Sequence, residues 1–259
     1  MDDRKAGSYW EENADVWTRL ARQGYDVYRD LINTPAFLDL LPPIDGLTGL
    51  DLGCGEGHNT RLFSSRGAVM YAVDISPTFL RHARTEGGAI QYAVASAQRL
   101  PFAASSFDFA VACMSLMDLP DPGAAFREAA RVLRPSGFLQ FSILHPCFFT
   151  PHRRLLRDFG GREYAVEVGR YFDTAPVVEE WLFSAAPAHA KQGLRPFRTV
   201  NFHRTLADWI NMIADAGLRI ESAAEPCATP ELAARQPSVA DTRVVAYFLH
   251  LRCRKATGI

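Results

Sequence analysis

The residues best suited to chemistry stand together in one stretch, Leu50-Asp-Leu-Gly-Cys-Gly-Glu-Gly-His-Asn-Thr60. A short apolar run enters it, Gly53, Gly55 and Gly57 alternate, and helix-forming sequence follows. That order reads as strand, tight turn, helix. Glycine accepts backbone angles other residues avoid and lets a ligand lie directly on the main chain. The helix that follows opens with unpaired N–H groups aimed at whatever fills the turn. Met70-Tyr-Ala-Val-Asp74 then reads as a second strand ending in an acid. An acid there can accept two hydrogen bonds from a ribose diol, as in nucleotide-binding α/β folds. The chemistry these residues suit is the holding of a nucleotide-like cofactor.

Spacing narrows the cofactor. A dinucleotide fingerprint, G-x-G-x-x-G, needs glycine at position 58, where this chain has His58. That argues against a nicotinamide-dependent oxidoreductase. The pattern Asp-x-Gly-x-Gly-x-Gly from Asp51 instead resembles the first motif of class I S-adenosylmethionine-dependent methyltransferases, of the small-molecule, type 11-like kind. The stretch Leu100 to Leu144, with its Leu-Pro-Phe, Phe-Asp and Val-Leu-Arg-Pro-x-Gly punctuation, resembles the same family a second time.

The resemblance implies S-adenosyl-L-methionine as cofactor and S-adenosyl-L-homocysteine as product. It puts the methionine part on Gly53, Cys54 and Gly55, and the ribose on Asp74 beside Ile75. Ser96, Ala97 and Gln98 form the loop that reaches the adenine, and Met114 lines the pocket at the end of the fourth strand. Family members frequently carry an acid near the start of the adenine loop. Here Ser96 stands there, which leaves the contact to a hydroxyl, the Gln98 amide or a backbone N–H. Asp51 either organises the glycine turn or meets the cofactor's ammonium group. His58 and Asn59 face the cofactor's amino-acid end, with Asn59 expected as the helix N-cap.

Methyl transfer from a sulfonium is an in-line displacement. It needs alignment and desolvation, and a base only when the nucleophile carries a proton. His145, directly after the fifth strand, is the first candidate base, although the same imidazole could simply shape the His-Pro turn. His203 is the second. Tyr9 and Tyr28, with His145 and Phe148, are the expected acceptor contacts. No metal site is expected.

The elements that must position these groups follow from pattern. Residues 8 to 41 read as helical and aromatic, with Asp26 capping a helix that runs towards Asn33 until Pro35 interrupts it. Pro42 to Gly46 is a linker. Strands are expected at Leu47 to Leu52, Val69 to Val73, Ile90 to Ala95, Ser106 to Met114 and Phe138 to Leu144. Helices start at Asn59, Ser76-Pro77 and Asp121-Pro122, the last with a buried stripe of Phe126, Ala129, Ala130 and Leu133. After Leu144 the periodicity becomes irregular as far as Arg204, with one strand at Phe197 to His203. Five arginines, Arg153, Arg154, Arg157, Arg162 and Arg170, lie in this segment. Thr205-x-x-Asp208 opens a helix that carries Leu206, Trp209, Ile210 and Ile213 inward. Strands at Leu218 to Ala223 and Val244 to Cys253 close the chain, the second antiparallel.

The expected fold is therefore α/β, a Rossmann-like seven-stranded sheet with helices on both faces. The resemblance supplies its order, 3-2-1-4-5-7-6, with strand 7 antiparallel. The domains read as a helical lid over 1–43, a methyltransferase core over 44–145 and 205–259, and an inserted substrate cap over 146–204.

Bulk properties set the limits. With 259 residues, 48% of them hydrophobic, the chain can bury one core with an added cap. A net charge of −1 gives no global field towards nucleic acid or an anionic membrane. The N-terminus has no apolar signal core, and no run approaches the roughly 20 apolar residues of a spanning helix. Five cysteines without C-x-x-C spacing suit a reduced, cytoplasmic protein. The function expected is methyl transfer to an O, N or S nucleophile of a small molecule, by a monomer or homodimer. The alternatives are an RNA methyltransferase using the cap arginines for phosphates, and an S-adenosylmethionine-binding protein without catalysis.

Overall fold

The computed structural model describes residues 1–256. The chain begins with α1 (Asp3–Arg22), whose N-cap Asp2 accepts the Lys5 N–H at 2.8 Å. A second helical stretch follows, with a π turn at Arg29–Asn33 running directly into α2 (Thr34–Leu40). Pro35 therefore does not interrupt this stretch as the sequence predicts. Proline lacks an N–H and crowds the carbonyl one turn back. The wider π turn just before it removes that conflict, and such turns recur at functional sites.

The sheet begins with β1 (Thr48–Leu52), followed by α3 (His58–Ser64), β2 (Val69–Asp74), α4 (Pro77–Thr85) and β3 (Gln91–Val94). It continues through β4 (Phe107–Cys113), α5 (Pro122–Val132) and β5 (Leu133–Leu144). Local capping fixes several of these starts. The Ser76 hydroxyl accepts the Phe79 N–H at 3.1 Å, and Asp121 accepts the Ala124 N–H at 2.9 Å. Each such cap is worth about 1 kcal/mol.

The segment after β5 differs from expectation. It holds four strands rather than one: β6 (His152–Arg157) pairs with β7 (Glu163–Gly169), and β8 (Val177–Trp181) pairs across α6 (Ala188–Lys191) with β9 (Phe197–Asn201). β6, β7 and β8 are exposed or half-buried, as at Val177, Val178 and Glu180, so no clean apolar alternation marks them, whereas β9, the expected strand, buries Phe197, Thr199 and Val200. The β9 strand lies against α1. Asn13 Nδ2 donates to the Arg198 carbonyl at 2.8 Å, and the Arg198 N–H donates back to Asn13 Oδ1 at 3.2 Å. Leu20 and Ala21 of α1 pack there with Phe183 and Phe197.

The chain returns to the sheet through α7 (Leu206–Asp215), which has the Thr205–Asp208 capping box. Ile210 on it is 43% exposed, contrary to expectation, while Trp209 and Ile213 are buried. The last elements are β10 (Leu218–Ala224), α8 (Pro230–Arg235) and β11 (Phe248–Lys255). Strand order is β10-β11-β5-β4-β1-β2-β3, with β11 antiparallel to both neighbours. Counted within this sheet, that is the expected 3-2-1-4-5-7-6, a Rossmann-like arrangement. The final strand begins at Phe248 rather than Val244, because 237–243 wind into a 3₁₀ turn.

Two cores hold the sheet. On one face Phe126 of α5 and Trp209 of α7 pack on Phe141, Ala110 and Leu50. On the other, Phe37 of α2 and Phe63 of α3 pack on Met70, Phe109 and Val111. Truncating any of these aromatics to alanine costs about 3–5 kcal/mol. No helix among the described residues is long and apolar enough to cross a membrane.

Candidate active site

A cavity of about 660 Å³ opens at the carboxyl ends of β1, β2 and β4, walled on its far side by α1, the π turn and the β8–β9 hairpin. Open α/β sheets put ligands at that end. The glycine turn forms its floor. Gly53 has φ 73°, and a Cβ there would stand 2.5 Å from Ser115 Cβ, so only glycine fits. The N–H groups of Gly53 and Cys54 both donate to the Val73 carbonyl, at 2.8 and 3.0 Å, which ties the turn to β2. Asp74 completes the joint: its Oδ2 accepts the Gly55 N–H and its Oδ1 the Ser76 N–H, both at 2.8 Å.

Carboxylates dominate this end. Asp51 is 1% exposed; its Oδ2 accepts the Thr60 hydroxyl at 2.6 Å, and its Oδ1 is buried without a partner among the described residues. Burial pushes Asp51 up to about 7, with the Thr60 bond opposing and the Asp74 charge adding. Burial likewise raises Asp74 and Asp26 to about 6. Glu56 is gripped by Arg22 and Arg61 through Oε2, while its buried Oε1 accepts no hydrogen bond and lies 3.9 Å from Arg29 Nη1. His58, the first residue of α3, lines the same wall; burial, and then the Arg29 charge, hold its imidazole below the usual range. Arg29 itself stands in the π turn with Nε on Asp30 at 2.7 Å and a buried Nη1 that makes no hydrogen bond but lies 3.9 Å from Glu56 Oε1. A ligand with a cationic amine, a carboxylate and hydroxyls matches this donor set.

Ser96 and Ala97 after β3, Ile75 after β2, and Met114 after β4 also line the cavity. Met114 adopts φ 55°, an uncommon angle for a residue with a side chain. Beyond it the wall changes character, with Asp118, Glu179, Phe149, Arg153, Tyr28 and Tyr247. Asp118 is pushed up to about 8 by burial first and by the Glu179 charge second. Tyr28 stacks on Tyr247 with centroids 5.3 Å apart and donates to Asp241 at 2.8 Å. Burial and then the Asp241 charge hold its phenol protonated.

Several expected site residues lie elsewhere. Asn59 is not the N-cap: Gly57 is, at φ 81°, and Asn59 instead accepts the Thr34 hydroxyl at 2.9 Å while still lining the cavity. Gln98 turns away to accept the Asp121 N–H at 3.0 Å. Tyr9 packs with Ala6, Val200 and Phe202 rather than on the cavity. His145 is 4% exposed and outside the cavity lining. Its Nδ1 accepts the Cys147 N–H at 3.2 Å, which leaves the proton on Nε2, facing Glu225 at 2.8 Å. Phe148 packs against that buried ring at a tilt of 40°, and its neighbour Phe149 takes the cavity wall instead. His203 donates Nε2–H to the Tyr171 carbonyl at 2.8 Å and borders a separate surface hollow. Both imidazoles are thus engaged in structural hydrogen bonds and stand outside the cavity lining.

Sequence reasoning missed Arg29, Asp118, Arg153, Glu179 and Tyr247. Of these only Asp118 carried a signal, since it follows the fourth strand as closely as the loops that bind ligands do. No group of three or more His, Cys, Asp or Glu among the described residues is arranged to hold a metal.

Residues 50–141 match the family model described as "Methyltransferase domain". Malonyl-[acyl-carrier protein] O-methyltransferase of Pseudescherichia vulneris is 34% identical over 126 residues, covering 48% of this chain and 50% of that one. Ubiquinone biosynthesis O-methyltransferase of Xanthomonas oryzae is 32% identical over 153 residues, covering 54% and 64%. The chain thus spans about half to two-thirds of the length of the curated relatives it matches. Among solved structures, an S-adenosylmethionine-dependent methyltransferase from Mesorhizobium loti superposes with a TM-score of 0.71 at 28% identity, over 85% of this chain and 96% of that one.

Proposed function

The chain carries a class I S-adenosylmethionine-dependent methyltransferase domain, and from that premise we propose that it methylates a nucleophile of a small molecule. The observation that carries this reading is the pair of buried carboxylate oxygens that accept no hydrogen bond, Asp51 Oδ1 and Glu56 Oε1, beside the glycine turn, the second 3.9 Å from Arg29 Nη1. They suit the ammonium of the cofactor's amino-acid end. Arg29 Nη1 suits its carboxylate. Asp74 keeps free lone pairs for ribose hydroxyls even while accepting two main-chain bonds. Ser96 and Ala97 face the adenine end. When bound, S-adenosyl-L-methionine supplies an electrophilic methyl group on a positively charged sulfur.

The rest belongs to the chain's own residues. The glycine turn and its acids fix one reactant, and the aromatic far wall excludes water from the other. Asp118 is the base in this reading: its raised carboxyl, in its ionised form, takes the proton of an acceptor hydroxyl as the new bond forms. Two relatives named as O-methyltransferases support oxygen as the nucleophile. In the same reading, 1–43 acts as a lid, 146–204 as a substrate cap, and the protein works in the cytoplasm as a monomer or homodimer. All five cysteines are unpaired, as a reducing compartment requires.

An RNA substrate has less support. Arg154, Arg157 and Arg170 of the cap pair with Glu167, Glu163 and Asp173, which neutralises the charge a phosphate groove would need. The reading is tested by titrating S-adenosyl-L-homocysteine into wild type and Asp51→Asn, with NADH in parallel. One-to-one binding of S-adenosyl-L-homocysteine alone, weakened in the variant, is expected. Binding of NADH alone would overturn it.

A further inference from the structure

We infer that Arg153 makes the acceptor end of the cavity a carboxylate subsite, so that the molecule methylated is a small organic acid. This inference rests on the function proposed above. It starts from an imbalance among the cap arginines. Arg154 and Arg157 pair with Glu167 and Glu163 on β7. Arg153, the residue before Arg154 on β6, points to the face opposite Arg154, because side chains alternate along a strand. There it lines the cavity, and both its Nε and Nη2 are buried without a hydrogen-bond partner among the described residues.

Those two nitrogens form one edge of the guanidinium, with parallel N–H bonds that match the two oxygens of a carboxylate. The molecule uses the same edge elsewhere. Arg254 grips both oxygens of Glu221 through Nε and Nη2, at 2.9 and 2.8 Å, and Arg22 turns the same edge on the single Oε2 of Glu56, both at 3.1 Å. In Arg153 this edge faces no protein carboxylate. The guanidinium is also held in place by its flat face, 4.3 Å from the Phe149 ring centroid and 4.8 Å from that of Tyr247.

Asp241, bonded to the neighbouring Tyr247, does not take the role. Asp241 Oδ2 accepts the hydroxyls of both Tyr28 and Tyr247, and its Oδ1 is unpartnered rather than bonded to Arg153. The surroundings also choose among anions. One guanidinium shares the cavity with Asp118 and Glu179, so a singly charged planar group fits and a phosphate dianion meets unbalanced repulsion. Walls of Tyr28, Phe149, Tyr247 and Phe248 suit an apolar or aromatic body behind the carboxylate.

The test titrates benzoate, benzyl alcohol and phenyl phosphate into the full chain, with and without saturating S-adenosyl-L-homocysteine. Wild type should bind benzoate at least about tenfold more tightly than benzyl alcohol, the effect of one charge-assisted pair. Arg153→Met should abolish that preference, and Arg153→Lys should restore only part of it, because lysine lacks the fork. S-adenosyl-L-homocysteine affinity should be equal in all three proteins, which also reports that the variants are folded. Equal binding of benzoate and benzyl alcohol by wild type would overturn the inference, as would tighter binding of phenyl phosphate. A matching loss of S-adenosyl-L-homocysteine affinity in Arg153→Met would overturn it too, by assigning the guanidinium to the cofactor. Failure of wild type to bind S-adenosyl-L-homocysteine would instead overturn the proposed function, while an Arg153-dependent benzoate preference would still stand.

Discussion

The two ends of the cavity are built by different means. At the glycine turn, main-chain groups do most of the holding: Gly53, Cys54, Gly55 and Ser76 all donate N–H bonds to the end of β2 or to the acid that closes it. The parallel strands β1, β2 and β4 fix these atoms to within the tolerance of a hydrogen-bonded sheet. At the far end, side chains from separate elements meet instead: Tyr28 from the π-turn region, Arg153 from β6, Glu179 from β8 and Tyr247 from the loop before β11. The first kind of site is rigid and suits a constant ligand. The second can change its specificity by single substitutions without disturbing the sheet.

The largest effect that would sharpen this contrast is on turnover. Asp118→Asn should lower kcat by about 10²–10⁴, the usual worth of a positioned base, with S-adenosyl-L-homocysteine affinity unchanged. In wild type the rate should rise with pH through about 8, where Asp118 ionises, and the variant should lack that limb. A wild-type rate flat across that range would remove Asp118 from the chemistry.

Next in size is Asp74→Ala. It removes the acceptor of the Gly55 and Ser76 N–H groups together with the ribose contacts, and should weaken S-adenosyl-L-homocysteine by about 100-fold. Calorimetry checks it. Normal affinity would mean that the main-chain end is not where the ribose lies.

The pH dependence at the turn has a definite sign. Asp51 at about 7 and Asp74 at about 6 are raised above the ordinary aspartate value near 3.9. Between about pH 4 and 7 the folded chain therefore holds protons that the unfolded chain has released, so their contribution to stability falls as pH rises. Asp51→Asn removes one of these groups and should raise the melting temperature of the ligand-free protein at pH 8 but not at pH 4. Thermal scans at the two pH values decide it.

The smallest effect belongs to the support of the far wall. Asn13→Ala deletes both bonds between α1 and β9 and should lower stability by about 1–2 kcal/mol. Amide exchange should quicken in 177–201 while cofactor affinity stays within about threefold. A large loss of cofactor affinity would show that the two ends are not independent.

The same division explains what could be read from the sequence. Gly53, Gly57 and Asp74 were legible because backbone angles and a strand end restrict which residues can stand there. The α/β class followed from alternating strands and helices, whereas the strand order came from the family resemblance alone. Asn59 was misassigned as a cap because Gly57, in a left-handed conformation, caps the helix without a side chain. His145 has the position of a base, but Glu225 and Cys147 occupy its nitrogens, and Glu225 is remote in sequence. Arg153 was one of five similar arginines until β7 supplied partners for its neighbours and none for it. β6, β7 and β8 stayed hidden because exposed strands carry little apolar alternation, whereas β9, with Phe197, Thr199 and Val200 buried, was legible.

The most direct measurement is the calorimetric affinity of S-adenosyl-L-homocysteine between pH 5 and 8, with NADH in parallel. The carboxylates of the glycine turn, ionising at about 6 and about 7, should tighten one-to-one binding as pH rises through that interval, with no uptake of NADH. Affinity that does not change with pH, or binding of NADH in its place, would contradict the assignment of these acids to the cofactor.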